Sequence, residues 1–170
     1  LETKTRNISE IWPNLELYMH GGMSFFPYKE QFKKLIPSKE MNYMECYNAS
    51  EGYFAIQDQT HNNEMLLMLN YGIFYEFIDM KDLKNGSEDT IGLDKVKLGN
   101  TYAIVISTNA GLWRYLIGDT IAFTSLSPFR IKIIGRTKGF INAFGEELVI
   151  ENAEIAIQEA CKKSNAIIKE

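Results

Sequence analysis

Thr101-Tyr102-Ala103-Ile104-Val105-Ile106-Ser107 is a β-branched run, and a short turn later comes Ala110-Gly111-Leu112-Trp113-Arg114-Tyr115-Leu116-Ile117-Gly118-Asp119. Two more runs follow, Ile121 to Thr124 and Ile131 to Ile134, separated by Ser127-Pro128. Short apolar runs bounded by turn residues read as strands. Upstream, Tyr53 to Gln57, Met65 to Asn70 and Ile73 to Ile78 read the same way, with Asn70-Tyr71-Gly72 predicting a hairpin turn. So many short strands predict a curved sheet or a small distorted β-barrel.

Nearer the N-terminus, strand-like Leu15 to Met19 and Tyr43 to Tyr47 flank a helix-like stretch from Tyr28 to Ile36 that Pro37 closes. That makes a strand, helix, strand unit, and the fold class is α/β to α+β with a mixed sheet. Asp82 to Asp89 is polar and reads as a surface loop. After Arg136 the character changes: a strand-like run from Phe140 to Phe144 precedes Leu148, Ile150, Ala153, Ile155, Ile157 and Ala160, spaced in part for a helix face. The expected division is residues 1–136 as one domain and 137–170 as a hinge and the start of another. The chain begins at Leu1 and ends in a helical pattern, so it reads as an excised piece.

Composition narrows the classes of function. With 170 residues and 45% hydrophobic composition, the chain can bury one core. A net charge of -4, from 18 basic and 22 acidic residues without a basic block, leaves no electrostatic footprint for nucleic acid. No apolar stretch is long enough to span a membrane. Cys46 and Cys161 lack metal-ligand spacing with His20 or His61, and a reducing, cytoplasmic setting is expected.

Three polar motifs carry the chemistry. In Tyr47-Asn48-Ala49-Ser50-Glu51-Gly52, the Glu51 carboxylate is a hard oxygen ligand for magnesium that arrives on nucleotide phosphates. Ser50 offers a hydrogen bond to phosphate, Tyr47 a flat face for a purine, and Gly52 a close backbone approach. The alternative is a turn start at Ser50-Glu51 with Tyr47 in the core. In Arg114-Tyr115-Leu116-Ile117-Gly118-Asp119, alternation places Arg114 and Leu116 on one strand face, Gly118 breaks the strand, and Asp119 follows. Its carboxylate can accept both hydrogen bonds of a vicinal diol, or simply cap the turn. In Gly135-Arg136-Thr137-Lys138, Arg136 is a planar fork suited to phosphate or ribose oxygens, against the alternative of a solvated turn.

These motifs, together with Ile11-Trp12-Pro13-Asn14 and Gly21-Gly22, resemble the auxin-responsive acyl acid amido synthetases of the adenylate-forming superfamily. The resemblance implies that a carboxylic acid and ATP, with magnesium, give an acyl-adenylate and pyrophosphate, and that an amine or amino acid then attacks the acyl carbon. Carried over by position, Tyr47 would lie against adenine, Ser50 would contact phosphate, and Glu51 would hold magnesium. Asp119 would bind the ribose hydroxyls beside Arg114 and Tyr115, Arg136 would contact ribose or phosphate, and Lys138 would sit at the hinge. Ala49 and Leu116 depart from the family's frequent Ser and Arg, and Arg114 is expected to compensate in part for the latter. The family's phosphate loop and C-terminal lysine have no counterpart here, so the piece by itself is expected to be inactive. A thioester-forming relative or a non-catalytic nucleotide-binding module are the alternatives.

Overall fold

The computed structural model describes residues 8–22, 25–137, 141–143, 146–148, 150–164 and 166. Met23, Ser24, Lys138, Phe140, Phe144 and Lys169 lie outside them. In chain order the elements are α1 (Ile8–Ile11), β1 (Leu17–His20), a 3-10 turn at Phe26–Tyr28, α2 (Lys29–Leu35), β2 (Asn42–Ala49), β3 (Gly52–Ile56), β4 (Met65–Leu67) and β5 (Ile73–Asp79). Then come α3 (Met80–Lys84), a 3-10 turn at Leu93–Lys95, β6 (Thr101–Thr108), β7 (Tyr115–Leu126), β8 (Phe129–Arg136), β9 (Ile141–Ala143), β10 (Glu146–Leu148) and α4 (Ile150–Ser164).

One mixed eight-stranded sheet runs β1-β2-β3-β4-β8-β7-β6-β5, while β9 and β10 form a separate hairpin. β1 is parallel to β2 through the α2 crossover, as the strand, helix, strand pattern predicts; every other pairing among the described residues is antiparallel. The mixed sheet bears out the expected fold class, and it is not closed into a barrel. Its β5 edge is occupied instead by Ile91, whose backbone exchanges hydrogen bonds of 2.8 and 2.9 Å with Phe77.

The Asn70-Tyr71-Gly72 turn does not make a hairpin either. β4 pairs with β3 and β8, whereas β5 pairs with β6. Gly72 adopts φ +73°, and a Cβ there would lie 2.9 Å from the Asn109 side chain, so the turn is seated against the β6–β7 connection. The chain is thereby carried across to the far edge. The polar stretch from Asp82 also begins inside a helix rather than a loop. Asp79 caps α3 by accepting a 2.9 Å hydrogen bond from the Lys81 amide, which satisfies one orphan donor of the first turn.

The two sheet faces are built differently. Tyr75, Phe77, Tyr102, Ile104, Ile106, Ile117, Ile121, Phe123 and Ile131 join Tyr47 and Phe54 in the main core. Ile78, Met80, Ala103 and Val105 form a smaller cluster, with Leu83 of α3 packed on it. Alternation along β5 and β6 separates these sets, since successive residues point to opposite faces.

Arg130 is buried on β8 and forms a two-pronged ion pair with Asp58, at 2.6 and 3.1 Å, which ties β8 to the β3–β4 connection. Hydrogen bonding from Arg130 holds the Asp58 carboxyl below its ordinary range. Such a group stabilises the fold above its unfolded pKa of about 3.9 and loses that contribution as pH falls through the lower folded value. Asp58→Ala leaves a buried guanidinium unpaired and is expected to cost about 2 kcal/mol at pH 7, read as a shift in the urea midpoint at constant slope. The difference between the two proteins should hold from neutral pH down to about pH 4 and shrink below it. A difference that grows on acidification contradicts the assignment.

Candidate functional site

The site is built around Asp119. Its Oδ2 accepts a 2.8 Å hydrogen bond from the Tyr47 hydroxyl, and its Oδ1 faces Arg136 Nε at 3.1 Å. One residue from each of the three sequence motifs therefore meets at a single carboxylate. Asp119 and Arg136 are directly opposite in the β7–β8 ladder. Tyr47 arrives from β2, several strands away in the sheet order.

Local backbone irregularities aim these groups. The β2–β3 register shifts between Tyr47 and Asn48; such bulges re-aim side chains at sheet rims and next to active sites. Tyr47 is consequently turned into the core at 4% exposure, with its ring 4.9 Å from that of Phe54. The stacking surface expected of Tyr47 is taken up by the core, and what it presents at the site is its hydroxyl. Burial first, then the charge and hydrogen bond of Asp119, push the phenol far above its ordinary pKa. It acts as a fixed donor.

Gly118 does not end a strand, as the sequence predicts, but sits inside β7 at φ +92°. That conformation strains any residue with a Cβ. Thr137 clasps the same point, donating from its amide at 2.8 Å and from its hydroxyl at 3.2 Å to the Gly118 carbonyl. Sequence reading passed over Thr137, because nothing in Gly135-Arg136-Thr137-Lys138 indicates that its partner is a carbonyl on another strand. Asp119 keeps about 19% of its side chain exposed and Arg136 about 63%, so the pair opens to solvent. Each carboxylate oxygen retains acceptor capacity beyond the bond it already makes.

The remaining residues of the first motif lie at the β2–β3 turn. Ser50 is exposed and Glu51 half-buried. Gly52 opens β3, where a Cβ would come within 2.9 Å of the tip of the Ile73 side chain, which would have to move aside. Among the described residues no three His, Cys, Asp or Glu side chains converge to hold a metal. A single hard oxygen at Glu51 fits magnesium that brings phosphate oxygens as its other ligands. Tyr115 begins β7 and is 40% exposed. Lys138 lies outside the described residues.

Arg114 goes elsewhere, which corrects its placement on the Leu116 strand face. It precedes β7 with a left-handed φ of 47°, and its amide donates to Ser107 Oγ at 3.0 Å. Its guanidinium reaches Glu76 at 3.1 Å and Thr90 at 2.9 Å. Glu76, Thr90 and Ser107 carry no motif in sequence, since only strand pairing brings positions so far apart together. His20, beside Gly21-Gly22, stacks on Phe25 at 4.3 Å, and burial, then Lys29, lowers its pKa. His61 is exposed.

The fold is shared with solved acyl acid amido synthetases. The chain superposes on the GH3.15 acyl acid amido synthetase with a TM-score of 0.69 at 16% identity, covering 92% of this chain and 28% of that one. A structure of AtGH3.15 acyl acid amido synthetase in complex with 2,4-DB gives 0.66 at 16% identity, over 91% of this chain and 26% of that one. Residues 66–136 match the GH3 family central domain, a span that includes Asp119 and Arg136. In sequence the chain is 27% identical to indole-3-acetic acid-amido synthetase GH3.3 of Arabidopsis thaliana over 171 residues, which is 89% of this chain and 28% of that protein. It is equally 27% identical to jasmonoyl--L-amino acid synthetase JAR4 of Nicotiana attenuata over 165 residues, 91% of this chain and 28% of that one. The family resemblance read from the motifs is borne out, and this chain spans little more than a quarter of these relatives.

Removing one carboxylate tests the hub. Asp119→Ala strands the buried Tyr47 hydroxyl and is expected to cost about 2 kcal/mol, while Asp119→Asn keeps an acceptor and costs less than about 1 kcal/mol, because the Arg136 pair is a surface one. Urea midpoints provide the comparison, and equal losses in the two variants contradict the geometry.

Proposed function

We propose that this chain is the nucleotide-cradling part of an ATP-dependent ligase that joins a carboxylic acid to an amine or amino acid through an acyl-adenylate. The observation that carries this reading is the meeting of Tyr47, Asp119 and Arg136, one from each motif, in a chain with the fold of acyl acid amido synthetases. In the first half-reaction the acid's carboxylate oxygen attacks the α-phosphorus of ATP, and pyrophosphate leaves. In the second the amine attacks the acyl carbon, a proton departs from nitrogen, and AMP leaves.

Asp119 receives the ribose hydroxyls on its remaining acceptor positions, and the buried Tyr47 hydroxyl fixes its orientation. Arg136, mostly solvent-exposed, is free to turn from Asp119 towards ribose or phosphate oxygens. Ser50 meets a phosphate oxygen, and Gly52 and Tyr115 line the approach. Glu51 holds magnesium, which when bound offsets charge on the phosphates. The division at 136/137 is part of the same proposal. The Thr137 clasp would be the point at which a hinge swings, with Lys138 beside it. Acids and amino acids like those named for the relatives are the substrate class to test. ATP use and two free thiols, Cys46 and Cys161, fit a reducing, cytoplasmic setting. Among the described residues no helix is long and apolar enough to cross a membrane.

The test is acid-dependent exchange of labelled pyrophosphate into ATP, measured on the protein with its flanking coding sequence over a panel of carboxylic acids. Exchange is expected with at least one acid, and Glu51→Gln should lower it at least ~100-fold, as for loss of a charge-stabilising group. No exchange with any acid overturns the proposal, and near-normal exchange in Glu51→Gln removes Glu51 from the metal role.

A further inference from the structure

Two arginines of β8 face an aspartate, and the two pairs are built in opposite ways. Arg130 grips Asp58 through hydrogen bonds of 2.6 and 3.1 Å, and its side chain is only 8% exposed. Arg136 faces Asp119 through Nε, 3.1 Å from Oδ1, and its side chain is 63% exposed. The first pair is locked into the fold. The second stands in water, where an ion pair is weak, is screened by salt and exchanges its partners readily.

The backbone around Arg136 is anchored, and only its side chain is at liberty. Its own position lies opposite Asp119 in the β7–β8 ladder. The next residue, Thr137, holds the Gly118 carbonyl through its amide at 2.8 Å and its hydroxyl at 3.2 Å. Asp119 is held back from following the guanidinium, because the Tyr47 hydroxyl donates to its Oδ2 at 2.8 Å from a ring fixed in the core. Gly118 leaves the arginine room. A Cβ built there would lie 3.8 Å from Arg136 Nη2, so the guanidinium passes over a residue without a side chain. Arg136 therefore covers Oδ1, the carboxylate oxygen that Tyr47 does not hold, and can leave it by side-chain rotation alone.

We infer that Arg136 is a latch on Asp119 that makes the site select phosphorylated nucleosides over free ones; the inference rests on the ribose contact proposed for Asp119. A neutral nucleoside must displace the guanidinium to reach Oδ1, and it gives that cation no anion in return. A nucleotide displaces it too, but its phosphate oxygens match the planar fork and receive the charge. One arginine thus opposes one ligand and attracts the other. Part of the selectivity is built against the unwanted ligand rather than for the wanted one.

Calorimetric titrations of AMP and adenosine into the protein with its flanking coding sequence test it, in wild type and in Arg136→Gln. The substitution should weaken AMP binding at least ~10-fold and tighten adenosine binding at least ~2-fold, the sizes of a charge-assisted phosphate contact and of an exposed ion pair. Adenosine is neutral, so raising sodium chloride should narrow the gap between wild type and variant by screening the latch. Arg136 is exposed, so its substitution should leave the urea midpoint in place and report on binding rather than folding. Adenosine affinity that is unchanged or weaker in Arg136→Gln, or a gap that salt does not narrow, overturns the latch and leaves the nucleotide reading standing. Failure of AMP to bind the wild type overturns the nucleotide reading itself, and the latch with it.

Discussion

The 2.8 Å hydrogen bond from Tyr47 to Asp119 is the constraint on which the architecture turns. In the sheet order, β3, β4 and β8 stand between the strands that carry these residues. Four inter-strand steps of about 4.8 Å would separate β2 from β7 by roughly 19 Å in a flat sheet, far beyond the reach of a phenol. The contact exists because the sheet curls until β2 and β7 face each other across the main core. Native twist supplies part of the curl. Register shifts in β2, β6 and β7 supply more, since bulges bend the strand that carries them. The space within the curl is filled by rings, with Phe54, Tyr75, Phe77, Tyr102 and Phe123 in edge and stacked contacts.

That constraint explains what sequence could and could not reveal. Strands β2, β5, β6 and β8 stand out because short runs rich in β-branched or aromatic residues are bounded by turn residues, and the α2 crossover stands out because Pro37 closes it. The destination of β5 was not legible. Asn70-Tyr71-Gly72 has hairpin chemistry, but its glycine serves the seating of the turn against Asn109. Gly118 misled in a related way, because a glycine at positive φ looks the same in sequence whether it stops a strand or kinks one. The curl of the sheet was within reach, while its closure was not, since closure depends on whether Ile91 or β1 occupies the β5 edge.

The site followed the same division. Tyr47, Asp119 and Arg136 were identifiable from residue type and order, and folding brings them to one carboxylate. Their division of labour was invisible. Tyr47 reads in sequence either as a stacking platform or as a core residue, and the core position leaves it only its hydroxyl. Arg114 looks like a member of the Asp119 group because it lies five positions away. A left-handed residue before β7 instead turns it towards Glu76 and Thr90, and one motif is split between two sheet faces. Neighbourhood in sequence is a poor guide wherever the backbone leaves regular geometry.

The central proposal is that a tyrosine-anchored Asp119 grips the ribose of a nucleotide. The most direct measurement is a cycle of binding constants: AMP and 2′,3′-dideoxy-AMP, each titrated into the wild-type protein and into Asp119→Asn. The account predicts that removing the hydroxyls weakens binding about 10-fold in the wild type, as expected for hydrogen bonds to a charged group, and scarcely at all in the variant. Losses that simply add, or a wild type indifferent to the hydroxyls, contradict it.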